Sequence, residues 1–171
     1  MSTRKIALLG LLIALCVVGR MVFSSVPNVQ PVTAIIIICC LLMGPQNGII
    51  LAAGTAFVSN LFLGSGTWTL LQIIAWSIIG VLSGLIGMKF KKLPIWLLAT
   101  YAGFCGMLFG LIMSLERLII GKLFWPYYLA GLPFDFNHAI GNIVFFIVLY
   151  PILSPIIKRE ASFMVQSYNK Q

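Results

Sequence analysis

No stretch constrains this chain more than Pro27-Asn28-Val29-Gln30-Pro31 and the apolar run that follows it. Each proline fixes φ at about −65° and removes a backbone donor, and each drives the residue before it toward extended backbone. The segment is therefore a stiff, non-helical strap. The apolar run from Val32 to Met43 then stops at Gly44-Pro45. At about 1.5 Å per residue it reaches only about 18 Å, against ~30 Å for a bilayer's hydrocarbon core. If that helix is to reach the far side, the strap must lie at or below the membrane surface. Irregular backbone survives at such depth only when packed in protein or lining a polar cavity. Residues 24 to 31 are accordingly expected to wall an outward-facing pocket.

The membrane premise rests on composition, since 61% of the 171 residues are hydrophobic and only 8% are charged. That is the signature of a polytopic membrane protein, here one domain over residues 1–171. The expected class is all-α, one compact bundle of six transmembrane helices at about 6–23, 32–43, 47–63, 68–88, 95–115 and 138–157. The net charge of +8 resides in short clusters between apolar runs. Arg4-Lys5, the group Lys89, Lys91 and Lys92, and Lys158-Arg159 fall on one side of six spans. By the positive-inside rule both termini are cytoplasmic, and nucleic acid is not expected as a partner. Arg4-Lys5 before an apolar run resembles a signal peptide, but the run is long and a retained first span fits better.

Small residues recur at helical spacing. Gly10 and Ala14, with Ala7 on a nearby face, permit close approach of another helix, as do Gly48, Ala52 and Ala56 and the set Gly103, Gly106 and Gly110. The latter two sets are read as packing inside the bundle, whereas the first fits either packing or docking. Cys16, Cys39, Cys40 and Cys105 show no metal-site spacing and are expected as small core residues.

Polar residues gather on the outer side. Trp68, Gln72 and Trp76 lie four apart on one helix face. They form either a cavity wall or an interfacial belt with a helix-to-helix hydrogen bond. The segment 116–137, read as a long outer loop, carries Glu116, Arg117, Asp135 and Asn137 and leads into His138 and Asn142. Three acidic residues and one histidine supply no triad, HExxH or metal set. Catalysis, a resident cofactor and a metal site are therefore not expected, and no GxxxxGK[ST] motif is present. The ring of Asn28, Gln30, Asn60, Gln72, Asn137, His138 and Asn142, interleaved with Trp68 and Trp76, suits a neutral or zwitterionic organic ligand.

The run from Arg20 through Pro27-Asn28-Val29-Gln30-Pro31 to Thr33, followed by Gly44-Pro45-x-x-Gly48 and by Asn60, Gly64, Gly66, Trp68, Gln72 and Trp76, resembles the S component of energy-coupling factor (ECF) vitamin transporters. The resemblance implies a vitamin-binding subunit of the bacterial plasma membrane, partnered by a transmembrane T component and two cytosolic ATPases that use ATP. It further implies that Gly10 and Ala14 stand where the family has an Ala-xxx-Ala docking face. The strap is most similar to the cobalamin-specific group, which makes cobalamin the leading ligand. The same ring would hold riboflavin or folate, and a self-sufficient small transporter is the rival class. Asn28, Gln30, Asn60, Trp68, Gln72, Trp76, His138 and Asn142 are the expected pocket residues. Replacing Asn28 or Gln72 by Leu is expected to weaken binding by about 1–3 kcal/mol, the cost of an unmatched polar group, in an equilibrium titration with cobalamin.

Overall fold

The sequence VTAIIIICCLLM is apolar apart from Thr33, and a helix of that kind is kept from water either by lipid or by other elements around it. The computed structural model describes residues 3–90 and 92–168, and in it other helices surround this one. Its elements are α1 (Thr3–Val22), α2 (Val32–Met43), α3 (Gln46–Leu63), α4 (Thr67–Lys89), α5 (Ile95–Ser114), the single turn α6 (Glu116–Ile119) and α7 (Phe124–Tyr168). Helix α2 occupies the axis of the bundle, in contact with α1, α3, α4, α5 and α7. Val32 through Cys40 are all buried. No strand occurs among the described residues.

Five helices are long and apolar enough to cross a membrane, and α2 is the shorter exception. Successive helices nevertheless run alternately between two ends. Arg20, Leu63, Trp68, Ser114 and Tyr127 border one cavity. Lys5, Met43, Gln46 and Gly87 gather at the opposite end, where Lys92, Leu98 and Lys158 share Leu41 and Leu42 as neighbours. Lys91 of the expected basic cluster lies outside the described residues.

The turn between α2 and α3 is closed by local chemistry. Gly44 adopts φ 89°, the left-handed region that favours glycine, and its N–H donates to the Cys40 carbonyl at 2.9 Å. The buried Asn47 amide donates to the Met43 carbonyl at 2.7 Å, satisfying another orphan at the helix end.

Segment 116–137 departs from the expected loop. It folds as α6 and the first part of α7, so the last helix starts at Phe124 rather than near 138. Pro126 falls in the first turn, where a missing N–H breaks no helical bond. Pro133, Pro151 and Pro155 lie inside the helix, which the neighbouring packing tolerates. Phe124 stacks on Tyr128 one turn later, with ring centroids 5.6 Å apart, and this local contact extends helix where polarity alone implied a loop.

Small residues set the closest crossings. A Cβ built on Gly48 would lie 2.7 Å from the Gly80 Cα, so α3 and α4 meet backbone to backbone. Gly103 and Gly106 meet Ile143 and Ala139 of α7. By contrast, Gly10 has nothing within 4 Å, and Ala7 and Ala14 are likewise exposed. All four cysteines are buried and unpaired. Gly80→Ala is expected to destabilise the bundle by about 1–3 kcal/mol through overpacking, while Gly10→Ala changes stability by less than about 0.5 kcal/mol. Thermal unfolding followed by tryptophan fluorescence in detergent checks both.

Candidate ligand-binding site

The strap crosses the end of α2 and closes one side of a cavity of about 500 Å³. Several contacts hold it there. Pro31 sits where a side chain on Gly19 would be, which lets the strap pack directly on α1. Asn28 has φ 58°, a left-handed conformation that Asn tolerates better than most residues. Its carbonyl thereby meets the His138 Nδ1 at 2.7 Å.

Asn28, Gln30, Trp68 and Gln72, all singled out in the sequence, line this cavity together. Among the described residues the side-chain amides of Asn28 and Gln30 have no protein partner, and Gln72 engages only its Oε1. Asn60, Trp76, His138 and Asn142 do not line it; they lie buried beneath or beside it. Asn60 is a connector, donating through Nδ2 to Thr69 Oγ1 and to Gln72 Oε1, both at 2.8 Å. Asn142 is fully buried with both amide atoms unpartnered. Asn137 of the expected ring is exposed on the outer face of α7.

Two charged residues not expected in the pocket also face it. Arg20 reaches from the last turns of α1, its Nη1 donating to Ser59 Oγ at 2.5 Å and to Asn60 Oδ1 at 2.8 Å, with the guanidinium 5.5 Å from the Trp76 ring. Asp135 reaches from α7 across Gly110, where a Cβ would collide with its carboxyl group. The signal for both was available, since an ionisable residue within an apolar span marks a functional position by default. Arg20 lay inside the first apolar segment, and Asp135 was masked by the assignment of 116–137 to a loop. Glu116 also borders the cavity and accepts a hydrogen bond from Thr67.

A sequence model of the family described as "ECF transporter, substrate-specific component" matches residues 4–153. The chain belongs to this family. No curated protein and no solved structure matches it. As an ECF substrate-specific component, or S component, it is an integral membrane protein and a substrate-binding transport subunit rather than an enzyme. Membership implies association with a T component and ATPases.

Beneath the cavity of this S component a polar chain runs through apolar surroundings. Trp76 Nε1–H donates to Thr33 Oγ1 at 3.0 Å, and Thr33 Oγ1 lies 3.0 Å from His138 Nε2. A carbonyl only accepts, so the proton on the neutral ring sits at Nδ1 and is donated to Asn28 O. Nε2 is then the acceptor and the Thr33 hydroxyl its donor. Phe109 is stacked between Trp76 and His138, with centroids 5.1 and 5.0 Å away. Thr33→Val keeps the shape and removes the relay, leaving the Trp76 N–H and His138 Nε2 without partners. A loss of about 2 kcal/mol is expected, with faster amide exchange at Val29 read by hydrogen exchange and mass spectrometry.

Proposed function

We propose that this S component captures a vitamin, cobalamin first among them, in the cavity under the strap and passes it to a T component driven by two ATPases. The observation that carries the proposal is a cavity of about 500 Å³ edged by unpartnered amides and by Trp68 and Phe109. A cavity of this volume falls in the range of small-molecule sites, in which convergent polar groups fix the ligand's orientation. The basic end of the bundle faces the cytoplasm by the positive-inside rule, so the cavity opens outward and both termini are inside. On this reading the short α2 makes the sixth crossing, sheltered by the five longer helices.

Asn28, Gln30, Trp68 and Gln72 are assigned to ligand contact. Asn60, Trp76 and His138 hold that layer in place, and Asn142 lies deepest. A corrinoid is larger than the chamber and would enter by one edge, its peripheral amides meeting those of the strap. The chamber's size favours, as a second reading, a smaller vitamin such as riboflavin or folate enclosed whole.

The face of Ala7, Gly10 and Ala14 is assigned to the T component, because it is exposed and carries no side chain beyond a methyl group. Reconstituted alone, the chain is expected to bind radiolabelled cobalamin without accumulating it. Accumulation is expected to require the T component, the ATPases and ATP, and uptake by the chain alone would overturn the proposal. Gly10→Leu or Ala14→Leu is expected to abolish co-purification with the T component while the Kd for cobalamin stays within about twofold.

A further inference from the structure

Arg20 and Asp135 line the same cavity, yet neither forms an ion pair with the other or with any described residue. A guanidinium has five N–H donors. Only Nη1 of Arg20 is engaged, and both acceptors, Ser59 Oγ and Asn60 Oδ1, are uncharged. Nη2 and Nε have no protein acceptor among the described residues. These bonds fix the guanidinium in direction without neutralising it. Asn60 in turn holds Thr69 and Gln72, so the cation is braced from α3 and α4 as well as α1. A braced, unneutralised cation facing a cavity inside a membrane protein is costly unless something else meets it.

Asp135, which lines the same cavity from α7, is 5% exposed, and its Oδ2 is buried without a hydrogen-bond partner. Gly110 makes the room for that carboxyl group, since any side chain there would displace it. Glu116 is the other acidic group at the cavity; it accepts from the Thr67 hydroxyl and forms no ion pair with Arg20.

We propose that the ligand carries an anionic group, a carboxylate or a phosphate ester, that docks on Arg20, and an N–H donor, an amide or ammonium, that docks on Asp135. This deepens the capture reading and rests on it. The anion takes the free Nη2 and Nε of a fork suited to two-pronged recognition of such groups. The donor meets the Asp135 carboxylate beside α5, which has no protein donor among the described residues, while the strap and Gln72 contribute neutral hydrogen bonds. A wholly neutral solute leaves both poles unmatched.

The test uses the full chain in lipid nanodiscs and equilibrium binding of paired probes: cobalamin with its phosphodiester against cobinamide lacking it, biotin against biotinamide, and pantothenate against panthenol, with uncharged riboflavin and with folate alongside. In whichever pair binds, the member bearing the anionic group is expected to bind at least about tenfold tighter. Arg20→Gln is expected to abolish that preference and Arg20→Lys to restore part of it. Asp135→Asn is expected to weaken both members while the preference remains. The wild-type comparison needs no variant to fold, and thermal unfolding accompanies each substitution. Binding without preference for the anionic member, or tightest binding of riboflavin, overturns the charged-pole inference and leaves the capture reading standing. Binding of none of these solutes overturns both.

Discussion

The structure depends on one helix being buried on every side. Helix α2 has no polar stripe to offer water and too few residues to cross a bilayer, so the bundle must enclose it. The strap leads into that helix, and only its last residues, Val29, Gln30 and Pro31, are drawn into the protein, while residues 24–28 stay exposed. The strap borders the chamber at that end through Pro27, Asn28, Val29 and Gln30. The short rod and the chamber above it thus meet at the strap.

Burial of α2 also explains where the polar groups went. Thr33 is the single hydroxyl on an otherwise apolar rod, and it is placed to accept from Trp76 and donate to His138. A hydroxyl at 0% exposure would be destabilising without both partners, and His138 would be equally so without the strap's carbonyl. The chain of donors therefore ties floor to strap, and the aromatic stack of Trp76, Phe109 and His138 excludes water from it. Arg20 above this layer completes the design from the side of α1.

Much of this was legible from residues alone. The strap, the brevity of α2 and the inward role of Gly48 and Gly106 follow from proline geometry, helix rise and small-residue spacing, whereas spacing alone left the face of Gly10 open between packing and docking. Polar ring membership was less so, because an amide in an apolar segment signals the need for a partner without saying whether that partner is a ligand or a neighbour. Asn28 and Gln72 face the cavity, whereas Asn60 and His138 satisfy other protein groups. The loop assigned to 116–137 concealed Asp135 for a related reason. Helix there is stabilised by stacking of Phe124 on Tyr128 and by long-range packing on α5, neither of which polarity registers.

Pro133 lies two residues before Asp135, in the stretch of α7 that borders the chamber through Tyr127, Gly131 and Phe134. Lacking an N–H, it leaves the carbonyl one turn earlier, on Leu129, without its helical donor. That turn therefore bends at lower cost than the uninterrupted helix around it. The chamber is thus bordered by two unlike segments: the end of α1, where Arg20 is held by Ser59 and Asn60, and a turn of α7 that lacks one of its own backbone hydrogen bonds just before Asp135.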